Sequence, residues 1–322
     1  MNPIIMDFAS AIKGVYRIYI DAGNSVTRAS CIQPDGTRRQ IDIPTLATKS
    51  NDKINQKGYL IKDFEGSDYI VGDENQTINT NIKLSKMDIP HKLAILTAIY
   101  QLTPVGASVD VYVGMPIQPF FNETHKNEYL KFLFPNKSIK FSLNNESKTL
   151  NFRNTKAFPE SIGYVYRKNV SHMVAFVDIG YTTIDCAIFV DYAPIKESIF
   201  TIVDGANPFK TRVRDILNKE LLLNIQMYQM DDILQNGLFG SHHDKAEEII
   251  YNCKIEYLQK ILNEMIKHNY EIETLPVVFG GGGSILLTDI VNEFETFSVT
   301  DEPLLDNLYG FEEMGELNYG EF

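Results

Sequence analysis

The sequence has few cysteines and no long apolar run, and each shortage excludes a class of protein. The 3 cysteines, Cys31, Cys186 and Cys253, are widely spaced without a Cys-x-x-Cys pair, so neither a disulfide framework nor a zinc site is indicated. No apolar stretch approaches the roughly 20 residues of a membrane helix, and the start lacks a basic segment followed by a long apolar one. We therefore expect a protein of a reducing cytoplasm, with no membrane segment and no signal peptide.

Basic residues are also scarce, since 30 Lys and Arg stand against 42 Asp and Glu and give a formal net charge of −12. Non-specific binding to duplex DNA needs a positive surface that releases counterions. We therefore expect no direct nucleic-acid partner, so that any link to DNA would run through another protein.

The chain is long enough for two cores and has the composition of a folded protein. Its 322 residues are 44% hydrophobic and 22% charged, and two domains are the starting expectation. Apolar runs, alternating over 16–20 and β-branched over 109–113 and 174–177, predict strands there and near residues 26–32, 68–72 and 276–279. Apolar residues at helical spacing predict helices over about 90–100, from Asn207 onward, over 245–268 and over 284–294.

Two segments share one plan, in which a hydrophobic strand ends at an Asp, a turn of small residues follows, and a second strand begins. The first segment has Asp21 before Gly23, Asn24 and Ser25, and the second has Asp178 before Gly180, Thr182 and Thr183. Backbone N–H groups in such a turn can bind an anion, and a carboxylate at the strand end can hold the waters of Mg²⁺. Either segment alone is compatible with a plain turn. Their repetition favours a pair of phosphate-binding hairpins.

A third glycine-rich motif lies between a predicted strand and a predicted helix. Residues 280–283 are all glycine, which removes every Cβ where a flat group such as adenosine could approach the backbone. A flexible linker is the alternative, and the spacing is not that of a P-loop.

Glu160 follows Phe158 and Pro159 and precedes the second predicted lobe. It can be a carboxylate aimed at an attacking water, or simply a first-turn residue of a helix. The residues alone leave both interpretations open.

Taken in order, these segments resemble the plasmid-segregation actin-like ATPases of the ParM/StbA type, in the actin, Hsp70 and sugar-kinase superfamily. The similar stretches also include residues 79–82, 109–117, 204–207 and 307–310. The resemblance implies an α/β, actin-like duplicated fold with two ribonuclease-H-like lobes around a nucleotide cleft. Domain I would comprise residues 1–160 and 300–322, with a variable subdomain over about 34–85, and domain II would comprise 161–299.

The resemblance also implies roles for individual residues. Glu160 and Asp178 would be catalytic, and Asp21 and Asp178 would hold Mg²⁺ through water. The nucleotide, ATP or alternatively GTP, would be bound by Asp21, Gly23, Asn24, Ser25, Gly180, Thr182, Thr183, Gly281, Gly282 and Gly283. Asp185 matches the closing acidic residue of the second hairpin. Tyr181 departs from the pattern, because the family usually has a second glycine there.

The expected function is ATP hydrolysis coupled to self-association into filaments of the bacterial cytoskeleton. A DNA-bound adaptor protein is the implied partner, and plasmid segregation the implied purpose. The alternative is a small-molecule kinase of the same superfamily, which would need a general base near a substrate pocket and would not form filaments.

Overall fold

The computed structural model describes residues 14–50, 57–73, 85–168, 170–238 and 240–317. The described residues up to Phe158 form one compact unit, and Pro159–Leu317 form a second. The lobe boundaries predicted at Glu160 and Thr300 stay predictions. Residues 79–82 and parts of the predicted subdomain over 34–85 lie outside the described residues, as do residues 1–13.

The described part of the first unit is a mixed sheet with three helices. Its strands lie in the order β3-β2-β1-β7-β9-β8-β5-β6-β4. They are β1 (Val15–Ala22), β2 (Val26–Ile32), β3 (Arg38–Pro44), β4 (Ala47–Lys49), β5 (Tyr59–Phe64), β6 (Ser67–Val71), β7 (Ser108–Met115), β8 (Ser138–Leu143) and β9 (Glu146–Pro159), and the helices are α1 (Ile89–Leu102), α2 (Ile117–Phe120) and α3 (Glu123–Leu133).

Helix α1 forms the centre of this unit's core. Asp88 caps its N-terminus by accepting from the backbone N–H of His91 at 3.1 Å, and Pro90 occupies the first turn. Leu93, Ile95 and Ile99 are buried along with most of the helix, which packs against β1 to β4 and β6. A helix with apolar residues on most of its surface is stable only when it is enclosed in this way.

The described part of the second unit is a smaller mixed sheet covered by helices. Its strands lie in the order β12-β11-β10-β14-β15, with β13 beside β11. The strands are β10 (Val174–Ile179), β11 (Ile184–Val190), β12 (Ala193–Pro194), β13 (Phe200–Ile202), β14 (Val277–Gly280) and β15 (Phe297–Val299), and the helices are α4 (Gly163–Arg167), α5 (Ala206–Leu221), α6 (Met230–Asn236), α7 (His243–Lys267), α8 (Thr288–Val291) and α9 (Asp306–Leu317).

One arrangement occurs in both units. Strand β1 pairs antiparallel with β2 and parallel with β7, and β10 pairs antiparallel with β11 and parallel with β14. The two predicted hairpins are therefore the corresponding central elements of two sheets. In their registers Asp21 lies opposite Arg28, and Asp178 lies opposite Asp185.

Two helix predictions need correction. The segment predicted as one helix over 284–294 is a 3₁₀ turn, Ser284–Leu287, followed by the four-residue α8. Helix α5 begins at Ala206 with Gly205 as its N-cap, so Asn207 lies inside the first turn and does not cap the helix. None of the helices in the described ranges is both long and apolar enough to cross a membrane.

Candidate functional site

The turn of the second hairpin is held by the start of α5. The carbonyls of residues 180–182 all accept hydrogen bonds from backbone N–H groups of residues 205–207. The pairs are Ala206 to Gly180 at 2.9 Å, Asn207 to Tyr181 at 2.8 Å and Gly205 to Thr182 at 2.9 Å. A Cβ on Gly205 would lie 2.5 Å from the Gly180 carbonyl oxygen, so glycine is required for this approach.

This attachment fixes the direction of the turn's amides. Because a trans peptide is planar, the N–H of each residue points opposite to the C=O of the residue before it. The N–H groups of Tyr181, Thr182 and Thr183 therefore point away from α5 and share one side of the turn. Successive amides on one side form an anion-binding concavity.

Tyr181 fits this turn although the family pattern has glycine there. Among the described residues it is not one of those with positive φ, so its backbone needs no glycine. Burial raises the pKa of the Tyr181 phenol, and the Asp231 carboxylate of α6 raises it further.

The Asp178 carboxylate is held by two side chains that come from outside its hairpin. Its Oδ2 accepts from Ser161 Oγ at 3.3 Å and from Asn307 Nδ2 at 3.1 Å. The Oδ1 atom lies so close to Gly281 that a Cβ there would overlap it. Asp178 therefore has a fixed orientation at the end of β10, beside the amide-lined turn.

The glycine run is required first of all by packing within the second unit. A Cβ on Gly280 would overlap the Phe176 ring, and one on Gly283 would overlap Ile179. Gly281 adopts φ 72°, where L side chains are strained. Gly282 differs, because its added Cβ would meet only the end of the Leu304 side chain, at 2.7 Å. The contact of Gly281, Gly282 and Gly283 with adenosine stays a prediction.

Glu160 lies in a turn between β9 and α4, and its residue is only 7% exposed. Helix α4 begins at Gly163 with Ile162 as its N-cap, so Glu160 is not a first-turn helix residue and that interpretation is wrong. Ser161, the next residue, is fully buried with φ 70°, and its N–H donates to Asn307 Oδ1 at 3.0 Å.

Asp185, the closing acidic residue of the second hairpin, is buried. Its Oδ1 accepts from Thr201 Oγ1 on β13 at 2.5 Å. This bond joins β11 to β13 and gives the Asp185 Oδ1 atom a hydrogen-bond donor.

The first hairpin is built on the same principle with a different partner. Thr45 donates from its Oγ1 to the Gly23 carbonyl at 2.7 Å and from its N–H to the Ser25 carbonyl at 2.8 Å. By the same planarity argument, the N–H groups of Asn24 and Val26 point away from Thr45. This turn therefore also directs amides to one side.

Asp21 stands at the end of β1, as Asp178 does at the end of β10. Burial raises the pKa of Asp21, and the nearby positive charges of Lys86 and Arg28 oppose that rise. Burial is the larger effect, so the pKa of Asp21 lies above its ordinary value and the two cations only limit the rise.

Comparison with known proteins agrees with this geometry. Residues 20–163 match the family model of the actin-like proteins N-terminal domain, and no curated protein matches the chain. The apo psk41 ParM protein is 17% identical, with a TM-score of 0.71 over 96% of this chain and 99% of its own. An archaeal actin homolog in complex with ADP is 16% identical, with a TM-score of 0.72 over 94% and 99%. A 15-stranded ParM filament from Clostridium botulinum is 18% identical, with a TM-score of 0.70 over 94% and 99%.

The fold is actin-like. The resemblance read from the motifs is confirmed at this level, and so is the duplicated α/β architecture that it implied.

The described carboxylates do not form a metal site by themselves. The described residues contain no group of three or more His, Cys, Asp or Glu side chains that could hold a metal. Mg²⁺ commonly keeps several waters and binds through one or two carboxylates and the phosphates of a substrate. Asp21 and Asp178 are each a carboxylate of this kind in its own unit, so Mg²⁺ at either one would depend on a bound nucleotide.

Two residues that support the candidate site, Thr45 and Asn307, are not predicted from the sequence. Thr45 holds the first turn and Asn307 holds Asp178 and Ser161, yet neither was a candidate site residue. The sequence signal for Asn307 is its place in the similar stretch 307–310. Thr45 has no such signal, because a threonine after Pro44 is an ordinary loop residue.

Proposed function

We propose that this protein is an actin-like ATPase that binds Mg-ATP and assembles into nucleotide-dependent filaments in the bacterial cytoplasm. The observation that carries the proposal is the repeated hairpin, in which a strand ends at an aspartate and the next turn directs its amides to one side. Two such turns are suited to the β- and γ-phosphates of a nucleotide. The actin-like fold and a structural neighbour in complex with ADP support this assignment.

The chemistry we propose is hydrolysis of the terminal phosphate. The turn amides at residues 181–183 would bind phosphate oxygens, and Asp21 and Asp178 would orient metal-bound water. Glu160 would orient a water molecule for attack on the γ-phosphorus and accept its proton as the bond to ADP breaks. A bound Mg²⁺ would supply charge neutralisation at the phosphates.

Filament assembly is the output we propose, because a structural neighbour is itself a filament. Head-to-tail contacts between identical subunits propagate when the rotation does not close. Hydrolysis would then weaken the contact. Plasmid DNA segregation through a DNA-bound adaptor is the biological role we propose for the filament.

Phosphate release, pelleting and electron microscopy with Mg-ATP, Mg-GTP, Mg-ADP and EDTA test the proposal. We expect phosphate release and pelletable filaments with a Mg-triphosphate only. Asp178→Asn should abolish both, whereas Asp215→Asn, at an exposed carboxylate of α5, should abolish neither. A parent protein that binds no nucleotide would contradict the proposal, and turnover without filaments would favour the kinase alternative.

A further inference from the structure

Asn307 connects the segment that carries Glu160 to the Asp178 carboxylate. Its Oδ1 accepts from the backbone N–H of Ser161 at 3.0 Å, and its Nδ2 donates to Asp178 Oδ2 at 3.1 Å. Ser161 Oγ approaches the same Oδ2 at 3.3 Å, so three groups form one closed arrangement. The Asn307 side-chain amide thus fixes the orientation of the Asp178 carboxylate and the backbone of Ser161, the residue that follows Glu160.

The position of Asn307 is itself fixed by the crossing of α4 and α9. A Cβ on Gly163 would lie 2.5 Å from the Asn307 Cα, and one on Gly310 would overlap the Gly163 backbone. Arg167 of α4 also donates to the buried Asp306 carboxylate at 2.7 Å, one residue before Asn307. The amide is therefore held by packed backbone and has little freedom to move.

We infer that Asn307 is a positioning residue for the metal-binding and hydrolytic groups, an assignment that rests on the proposed function. It holds the Asp178 carboxylate in the orientation that metal-bound water requires, and it holds the Ser161 backbone so that Glu160 keeps its place. Groups that orient a metal-binding carboxylate affect metal affinity and turnover indirectly, through the position of that carboxylate. Asn307 itself contacts neither nucleotide nor metal in this role.

Asn218 offers a matched control in the same unit. Its side chain also makes two hydrogen bonds, both of them to Ile225. Its Nδ2 donates to the Ile225 carbonyl at 3.0 Å, and its Oδ1 accepts from the Ile225 N–H at 2.6 Å. It joins the end of α5 to the following loop and lies outside the candidate site. Equal substitutions at the two positions therefore separate a loss of folding from a loss of positioning.

The first experiment compares Asn307→Leu with Asn218→Leu in phosphate release against Mg²⁺ concentration. Both variants should have a lower melting temperature than the parent. Only Asn307→Leu should need more Mg²⁺ for half-maximal release, or lose turnover, by about 10- to 100-fold, the range found for groups that orient metal ligands. A folded Asn307→Leu protein with the parent's Mg²⁺ requirement and turnover would overturn the inference.

The second experiment needs no nucleotide. Asn307→Asp places a second carboxylate against Asp178 and should lower the melting temperature, and adding Asp178→Asn should recover most of that loss because donor and acceptor are exchanged. The same second change should not recover the loss caused by Asn218→Asp, since distant sites are additive. If Asp178→Asn does not raise the melting temperature of Asn307→Asp, the inference that Asn307 holds Asp178 is wrong. A parent that releases no phosphate would instead overturn the proposed function, and the melting temperatures would still decide whether Asn307 holds Asp178.

Discussion

At the scale of single residues, the buried carboxylate of Glu160 allows a sharp test of hydrolysis. Glutamine keeps the shape of the side chain, so Glu160→Gln should fold normally. It cannot accept a proton from the attacking water, so hydrolysis should be impaired. We expect phosphate release to slow by about 10²- to 10⁴-fold, the usual contribution of one acid–base group. Filaments should persist longer, because the step that weakens the subunit contact is delayed. Phosphate release and filament lifetime are measured on the same preparation.

The control for Glu160→Gln is Glu248→Gln, at an exposed carboxylate of α7. It should match the parent in both measurements. Normal turnover in a folded Glu160→Gln protein would remove Glu160 from the mechanism.

Gly282 is the glycine of its run at which a side chain is most easily accommodated. Only the flexible end of Leu304 lies near its added Cβ, so Gly282→Val should fold and should weaken nucleotide binding by about tenfold or more, near 1.4 kcal/mol. Gly281→Ala should instead destabilise the fold, because of its φ of 72° and the adjacent Asp178 carboxylate. Binding of a fluorescent ATP analogue and thermal unfolding report the two effects. Unchanged affinity in Gly282→Val would show that adenosine does not lie there.

Lys148 makes stability depend on pH. Its ammonium donates to the Tyr100 carbonyl at 2.6 Å and to the Thr103 carbonyl at the end of α1. Burial, with Arg39 adding to it, lowers the pKa of Lys148 from 10.5 to about 8. Between these values the unfolded chain binds more protons at this site than the folded one, so the free energy of unfolding rises with pH.

The test compares the parent with Lys148→Met by urea unfolding at about pH 7.5 and pH 9.5. The contributions of groups far from Lys148 are common to both proteins and cancel in the difference. We expect the parent to gain stability relative to Lys148→Met as pH rises, and to show no such gain relative to Lys219→Met, whose side chain is 82% exposed. A constant difference would mean that Lys148 has an ordinary pKa.

At the scale of elements, the crossing of α4 and α9 depends on two glycines that leave no room for a side chain. A Cβ on Gly310 would overlap the backbone of Gly163, which cannot move as a flexible side chain can. Gly310→Ala should therefore lower the free energy of unfolding by about 3 kcal/mol, the upper part of the range for overpacking. Leu317→Ala, at an exposed end of α9, should change it by less than about 0.5 kcal/mol. Denaturant unfolding of both variants decides the matter, and a Gly310→Ala protein as stable as the parent would contradict this packing.

The elements that could be predicted from the sequence are those with strong local patterns. Both hairpins, α1 and α7 follow from alternation, helical spacing and turn residues, and the structure has them within a few residues. The prediction of one helix over 284–294 was wrong because the turns there are short and Ser284 Oγ donates back to the Gly281 carbonyl at 2.8 Å. Such local side-chain bonds compete with a regular helix. Helix α5 starts earlier than predicted because its first amides bind the hairpin turn.

The candidate site shows the same limit. Asp178 and the turn after it could be predicted, because the strand end and the small residues are adjacent in the chain. Asn307 could not, because it lies 129 residues from Asp178 and only the packing of α4 against α9 brings it there. Sequence pattern therefore predicted the strand-end carboxylate and the turn after it, but not the side chain that holds that carboxylate.

At the scale of the whole molecule, the duplication gives each unit one strand-end aspartate beside one amide-lined turn. The two turns are held differently, by the Thr45 side chain and backbone in the first unit and by three backbone amides of α5 and its cap in the second. A common arrangement with different supports means that the turn, and not its support, is the shared feature.

The net charge predicts how assembly should respond to salt. Each copy carries a formal charge of −12, so identical copies repel one another as they approach. The Debye length falls from about 30 Å at 0.01 M salt to about 10 Å at 0.1 M, which screens most of this repulsion. We therefore expect the critical concentration for assembly with Mg-ATP to fall as KCl rises from about 10 to about 150 mM. Pelleting at fixed nucleotide measures this, and nucleotide affinity at each salt concentration is the control. A critical concentration that rises with salt while nucleotide affinity stays constant would mean that ion pairs between copies outweigh their overall repulsion.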